Sequence, residues 1–227
     1  MNTDPTMPVP IPDRVTAGRA LAESLGHYRA RPQAIVLALP RGGVPVAYEI
    51  ASRLQLPLDL MLVRKLGVPG HAELAMGAIA SGGIRVLNRG VLASLFIDQA
   101  AIEAVAEREA EELQRRDRAY RGERPYPQLR DREVILVDDG LATGATMQAA
   151  VKAVRQHGPA RIVVAVPVAP PETVAELRSQ VDEVVCPCMP DSFVAIGRWY
   201  LDFSQTSDRE VQELLQRAWQ EQGDSDA

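Results

Sequence analysis

Two adjacent aspartates, Asp138 and Asp139, follow the apolar run 134–137, and a turn rich in small residues comes directly after them. Adjacent carboxylates can accept hydrogen bonds from neighbouring hydroxyls of a ribose, each contributing about 1.5 to 3 kcal/mol when buried. The small residues let the backbone approach a phosphate, which N–H groups at the start of a helix can bind. One segment would therefore hold both ends of a ribose phosphate.

Two simpler explanations of the acid pair stay open. The aspartates could merely cap the following helix, or they could form the acidic pocket of a receiver-type signalling domain. Neither explains why Thr143-Gly144-Ala145-Thr146 follows directly, with two hydroxyls and small side chains that suit a phosphate. We therefore prefer the phosphate-binding interpretation.

Basic residues follow two other predicted strands. The apolar run 34–39 leads into Pro40-Arg41-Gly42-Gly43, and Arg64 and Lys65 close the second strand. Arg41 is a cation, and the glycines permit backbone dihedrals that other residues avoid. An ordinary glycine-rich turn and an exposed basic pair are the alternatives.

These residues need a scaffold that brings several strand ends to one edge. Strand-length apolar runs alternate with helix-length segments, which predicts parallel strand–helix–strand units. Ligands of such sheets bind at the carboxyl ends of the strands. The predicted strands are 34–39, 58–63, 134–137, 162–166 and 183–186, and the predicted helices are 13–26, 44–54, 143–157, 172–179 and 208–219.

Three segments interrupt this alternation. Residues 77–80 and 84–87 flank Ser-Gly-Gly and predict an antiparallel hairpin, a flap beside the parallel sheet. Residues 64–76 contain three glycine or proline residues and are predicted to be a loop. Residues 98–118 predict a solvated helix on which Glu111/Arg115 and Glu112/Arg116 pair, with partner binding as the alternative.

Composition narrows the class of protein. With 227 residues, of which 46% are hydrophobic, the chain suits one domain with a large core. The net charge of −5 disfavours nucleic-acid binding, and no apolar run approaches the roughly 20 residues that span a membrane, so we expect a cytoplasmic protein.

Cys186 and Cys188 are expected to be reduced structural thiols. The predicted organisation is an arm over 1–12, one domain over 13–220 with a helical insertion at about 88–122, and a disordered tail over 221–227.

The segment from Val137 to Thr146 resembles the motif with which type I phosphoribosyltransferases bind 5-phosphoribosyl 1-pyrophosphate (PRPP). The resemblance covers about residues 35–203. It implies an α/β fold, a Rossmann-like parallel sheet flanked by helices, with a small hood over the site. It also implies Mg²⁺-dependent use of PRPP and a homodimer. Asp138 and Asp139 would bind the ribose hydroxyls, and the 5-phosphate would be bound by Ala142, Thr143, Gly144, Ala145 and Thr146.

The same resemblance assigns a pyrophosphate site. The segment 39–43 is similar to the pyrophosphate loop of the family, in which Arg41 and Gly42 would face the leaving group and the peptide between them would be strained. Lys65 is similar in position to basic residues that meet pyrophosphate. Residues 67–73 resemble a mobile lid that closes over PRPP and excludes water.

The hood resembles that of the purine-type enzymes over residues 189–194 and 200–203. Phe193 would stack on an acceptor base, Val194 would hydrogen-bond the base through its backbone, and Asp202 would contact Mg²⁺ or its water. An aromatic cluster that seals the hood to the sheet is the alternative.

The sequence departs from the 6-oxopurine enzymes at two places. Ala142 stands where they carry a third acid, and 166–170 offers no cation for a 6-oxo group. The expected activity is transfer of the phosphoribosyl group from PRPP to a nitrogenous base or amine with release of pyrophosphate. The alternative is a noncatalytic PRPP-sensing regulator of the same fold.

Overall fold

A computed structural model describes residues 2–3, 7–95 and 97–225, to which all structural statements below refer. The strands are β1 (Asn2–Thr3), β2 (Ala34–Ala38), β3 (Leu58–Leu60), β4 (Val63–Val68), β5 (His71–Ala80), β6 (Ile84–Leu87), β7 (Glu133–Val137), β8 (Arg161–Ala165), β9 (Glu183–Val185) and β10 (Cys188–Met189). The helices are α1 (Arg14–Ser24), α2 (Gly43–Leu54), α3 (Arg89–Ser94), α4 (Gln99–Arg121), α5 (Ala145–Gln156), α6 (Pro171–Arg178) and α7 (Asp208–Ser225).

Five parallel strands form the central sheet in the order β3-β2-β7-β8-β9, which confirms the predicted α/β architecture. β2 and β7 pair from Ala34 opposite Glu133 to Ala38 opposite Val137. Their carboxyl ends are therefore level, and the loops that follow them begin side by side at one edge of the sheet. The backbone N–H of Leu39 donates to the carbonyl of Val137 at 2.8 Å, just beyond that edge.

Helices cover both faces of the sheet, as the unbroken apolar strands predicted. Successive residues of a strand face opposite sides. Val36 and Ile135 belong to the core on the side of α1, α2 and α7, whereas Leu37 and Leu136 pack with α5 and α6. This double packing gives the strand ends a rigid base.

The flap is a three-stranded antiparallel sheet, β4-β5-β6. The predicted hairpin is confirmed by pairing of Gly77 with Leu87 and Ala80 with Ile84. The loop predicted over 64–76 is wrong, since most of it forms β4 and β5 around a turn at residues 69–70. The glycine and proline residues of this segment suggested a loop, but Gly67 lies at a shift in register between β4 and β5.

The predicted charged helix is α4, and Asp98 caps it by accepting from the N–H of Ala100 at 2.6 Å. Glu112 pairs with Arg116 at 2.7 Å, as predicted. Arg115 also pairs with Glu112, at 2.7 Å, rather than with Glu111 as predicted. One carboxylate therefore serves two arginines, three and four residues away.

The described part of the predicted N-terminal arm packs against the hood. Ile11 is fully buried, its N–H donates to Trp199 O at 2.8 Å, and its carbonyl accepts from Leu201 at 2.8 Å. At the other end, α7 runs to Ser225, beyond the predicted start of a disordered tail at 221. A hydrogen bond of 2.8 Å from the Tyr48 hydroxyl to Glu221 holds that turn, while residues 226–227 lie outside the described part.

Within the described ranges, no helix is long and apolar enough to cross a membrane.

Candidate functional site

The acid pair lies at the end of β7, as the sequence predicted. Asp139 is buried, and its N–H donates to Oδ1 of Asp138 at 2.9 Å. The hydroxyl of Tyr200 donates to the carbonyl of Asp139 at 2.7 Å, which ties the hood to the same backbone. Across the pair lies Gly42, where a Cβ would come within 1.9 Å of Asp139 Oδ2. Glycine is therefore required at position 42 for this approach.

Arg14, at the first position of α1, is a site residue that sequence reasoning missed. Its Nε and Nη2 reach Oδ2 of Asp139 at 2.8 and 2.7 Å. Its Nη1 donates to the carbonyl of Ser204 at 2.7 Å, and the guanidinium lies 4.1 Å from the centre of the Phe203 ring. A cation at the start of a helix opposes the helix dipole, and this was the available signal.

Burial sets the protonation of the acid pair. It raises the pKa of Asp138 well above the usual range, and the adjacent charge of Asp139 raises it further. Burial also raises the pKa of Asp139, but the Arg14 guanidinium opposes this shift. The pair therefore holds a proton more tightly than ordinary aspartates do, with the charge concentrated beside Arg14.

The predicted phosphate loop joins the acid pair to α5. Gly144 has a φ of +68° and immediately precedes the helix, whose first-turn N–H groups lack intrahelical acceptors. The Thr173 hydroxyl donates to the carbonyl of Ala142 at 2.8 Å and so fixes the loop on α6. The exposed residues of the loop are Ala142, Thr143, Ala145 and Thr146.

The loop after β2 lies beside the acid pair, as predicted. The N–H of Gly43 donates to the carbonyl of Leu39 at 3.1 Å and closes the turn. The peptide expected to be unusual was Arg41–Gly42, whereas the cis peptide is one bond earlier, between Pro40 and Arg41.

The structure brings Arg64, rather than Lys65, to the cavity beside Arg41. This small cavity, about 40 Å³, is lined by Arg41, Arg64 and Thr146, and α4 contributes Arg116 and Tyr120. The sequence predicted α4 as a solvated or partner-binding helix, whereas in the structure it also lines this cavity. Arg64 is oriented by Glu109, whose carboxylate accepts from it at 2.6 Å.

Lys65 lines a second cavity, of about 220 Å³, between the flap and α5. Thr146 lines both cavities, whereas Arg41 lines only the smaller one. The alternation of side chains along β4 explains the separation, because Arg64 and Lys65 point to opposite faces of the strand. Arg41 and Arg64 line one cavity and Lys65 lines another, so the structure favours Arg64 over the predicted Lys65 as the residue that joins Arg41 around one ligand.

In the hood, Phe193 stacks on Trp199 with ring centres 6.4 Å apart and planes 17° from parallel. Val194 is 76% exposed, so its backbone and side chain are accessible to an acceptor. Asp202 is exposed, and a hydrogen bond from the Ser204 N–H at 2.9 Å lowers the pKa of its carboxylate. Among the described residues, no group of three or more His, Cys, Asp or Glu is arranged to hold a metal ion.

The chain is similar to several known proteins. The chain is 48% identical over 206 residues to curated proteins of two Mycobacterium tuberculosis strains, CDC 1551 / Oshkosh and ATCC 25618 / H37Rv, provisionally named phosphoribosyl transferases. The match covers 91% of this chain and 46% of those proteins, so the chain spans about half their length. The crystal structure of TT1426 from Thermus thermophilus is similar with a TM-score of 0.81 and 46% identity, covering 90% of this chain and 97% of that one. Because the pattern of the phosphoribosyl transferase domain matches residues 11–204, the chain belongs to that family.

Proposed function

We propose that the chain transfers the 5-phosphoribosyl group of PRPP to a nitrogenous base or amine and releases pyrophosphate. The observation that carries this proposal is the arrangement of two adjacent aspartates, half-buried Asp138 and buried Asp139, a few residues before the glycine turn that starts helix α5. The carboxylates suit the 2- and 3-hydroxyls of a ribose, and the helix start suits its 5-phosphate.

The protein supplies position and electrostatic stabilisation in this proposal. The acid pair orients the ribose, while Thr143, Thr146 and the first N–H groups of α5 anchor the phosphate. Arg41 and Arg64 face the cavity into which pyrophosphate would leave, and their charges stabilise it. The bond between C1 and the pyrophosphate oxygen breaks as the acceptor nitrogen bonds to C1 on the opposite face.

Mg²⁺ fits the donor set without a dedicated protein cage. At phosphate sites this ion is commonly bound by one or two carboxylates together with oxygens of the substrate. Asp202 is the exposed hood carboxylate that would take part, and the bound ion would neutralise charge on the leaving pyrophosphate.

The residues beside the acid pair favour an acceptor less polar than a 6-oxopurine. Val168 packs against Gly140, and both Val168 and Ala169 are fully buried and apolar. Ala142 provides no proton acceptor. Loss of general acid–base help typically costs about 10² to 10⁴ in rate, and an unpaired buried oxygen costs about 1 to 3 kcal/mol.

A screen of bases and amines with PRPP and Mg²⁺, read by release of pyrophosphate, tests both activity and acceptor. We expect at least one acceptor to release pyrophosphate, and hypoxanthine and guanine to be slow. Turnover of either purine at the rate of the best acceptor would contradict the selectivity argument.

A PRPP-sensing regulator is the second candidate, favoured by one observation. At position 142 the phosphate loop has alanine, so the loop carries no third carboxylate that could accept the acceptor proton. Binding of PRPP with no pyrophosphate released by any acceptor would support sensing over catalysis.

A further inference from the structure

The geometry points to Arg14 as a positioning residue of the ribose site, one that holds Asp139 in the orientation that accepts a ribose hydroxyl and stays bound to it when the ligand is present. This inference rests on the proposed function, because it assigns a role within the same site. It also extends the site to the N-terminal helix, which lies 125 residues away in sequence from Asp139.

Three contacts fix the Arg14 side chain. Two of its nitrogens reach Oδ2 of Asp139, at 2.7 and 2.8 Å, and the third reaches the carbonyl of Ser204 at 2.7 Å. Its guanidinium stacks on Phe203 at 4.1 Å. The side chains of Arg14 and Asp139 are only 12% and 11% exposed, so water competes little for this pair.

Arg14 leaves acceptor positions on Asp139 for a ligand. A carboxylate offers about four lone-pair sites on its two oxygens. Both Arg14 donors use Oδ2, the oxygen that faces Gly42, and the remaining sites can accept a ribose hydroxyl. The arginine therefore orients the carboxylate without saturating it.

Local needs of the chain do not account for this arginine. Asp13 already caps α1 by accepting from the Thr16 N–H at 2.6 Å, and a cation in the first turn is opposed by the helix dipole. The N-terminal segment is already joined to the hood by backbone hydrogen bonds, such as that from Asp202 N–H to Pro12 O at 2.9 Å. What Arg14 adds is the link to Asp139.

That link also couples the hood to the ribose site. Phe203 belongs to the hood, where the acceptor would bind, and Ser204 follows it directly. Both residues contact the guanidinium that orients Asp139. A shift of the hood would therefore move the carboxylate through Arg14.

The test compares Arg14→Gln and Arg14→Lys with the control Arg19→Gln. Arg19 lies on the same helix, is 53% exposed and pairs with Glu49 at 3.1 Å, away from the site. Calorimetry would measure the affinity of each protein for ribose 5-phosphate, for PRPP with Mg²⁺, and for pyrophosphate with Mg²⁺. Thermal unfolding would establish that each variant is folded at the temperature of the titration.

We expect Arg14→Gln to weaken ribose 5-phosphate and PRPP by roughly tenfold or more and to leave pyrophosphate unchanged. Arg14→Lys keeps the charge but not the planar fork, so it should restore part of the affinity. The control should match the unaltered protein. If Arg14→Gln does not fold, Arg14→Lys provides the test. It should also weaken ribose 5-phosphate and PRPP but not pyrophosphate, by a smaller factor.

Two results would overturn this inference and leave the proposed function intact. Unchanged or tighter ribose 5-phosphate binding in Arg14→Gln would mean that the arginine only blocks the carboxylate. Equal weakening of all three ligands would mean a purely structural role. If the unaltered protein binds neither ribose 5-phosphate nor PRPP, the proposed function fails first and this inference falls with it.

Discussion

Charged clusters lie at opposite ends of the same parallel sheet, and they differ in the ratio of acids to donors. At the amino end, Glu183 meets the hydroxyl of Tyr28 at 2.7 Å, Arg161 at 3.2 Å and His27 at 3.5 Å. At the carboxyl end the ratio is reversed, since one arginine, which contacts Asp139, stands against two adjacent aspartates. The amino end is therefore rich in donors and the carboxyl end is rich in acceptors.

This difference appears in the pKa values. Burial alone would raise the pKa of Glu183, but hydrogen bonds from Tyr28 and Arg161 more than offset it and the pKa is lowered. The pKa values of Asp138 and Asp139 are raised, because burial outweighs what one arginine can offset. The first cluster satisfies its charge internally and serves stability. The second retains acceptors that a ligand with hydroxyl donors can use.

Removing the acids at the carboxyl end should have the largest effect on binding. We expect Asp138→Asn combined with Asp139→Asn to weaken ribose 5-phosphate by about 3 kcal/mol or more, because charge-assisted bonds to the hydroxyls are lost. Calorimetry measures the loss, with Glu183→Gln as the matched control at the other end of the sheet. Equal affinity in the double variant and the unaltered protein would remove the ribose role.

Crowding of the acid pair can be tested without changing a charge. A methyl group in Gly42→Ala would sit 1.9 Å from Asp139 Oδ2, so the carboxylate must move. We expect ribose 5-phosphate affinity to fall by about 2 kcal/mol, the value of a displaced charge-assisted bond. Gly26→Ala is the control, since its added Cβ would have no heavy atom within 4 Å apart from its own residue and chain neighbours. Equal affinities for these two variants would argue against a role for the Asp139 orientation.

The amino-end cluster should affect stability and not binding. Glu183→Gln removes the charge that Tyr28 and Arg161 share, and we expect the free energy of unfolding to fall by about 1 kcal/mol, as for a partly exposed ion pair. Urea denaturation followed by circular dichroism measures it. A loss of ribose 5-phosphate affinity in this variant, with stability unchanged, would reverse the assignment of the two clusters.

The fold was largely predictable because its signals are local. The apolar strands at 34–39 and 134–137 and the helix at 44–54 appear within one or two residues of the predicted bounds. The flap strand β5 was missed over 71–76, where a glycine and a proline nearby suggested a loop. In that region the structure is set by antiparallel pairing of β5 with β4, and such pairing between strands cannot be inferred from the local sequence.

The site was predictable where one segment carries it and not where the fold assembles it. Asp138, Asp139 and the phosphate loop are contiguous, so their spacing suggested the chemistry. Arg14 reaches Asp139 across 125 residues, and Arg116 of α4 lines the same cavity as Arg41. Such contacts depend on how helices pack at the sheet edge, which no spacing in the sequence encodes.

The smallest expected effect concerns pH, and the two clusters should respond with opposite signs. The pKa of Asp138 is raised in the folded protein, whereas in the unfolded chain an aspartate has a pKa of about 4. Between these two values the folded state binds more protons than the unfolded chain. Stability from this group therefore falls as pH rises above about 4, and the thermal stability that Asp138→Asn gains relative to the unaltered protein should grow over the same rise in pH. Glu183 has a lowered pKa, so its contribution is present above about pH 4.3 and is lost as pH falls through the folded value. Glu183→Gln should accordingly lose its disadvantage at low pH. Thermal unfolding of the unaltered protein and the two variants, at pH values from below about 4 upward, measures both trends. Parallel curves for the two variants would show that the acid-rich and donor-rich ends do not differ in their response to pH.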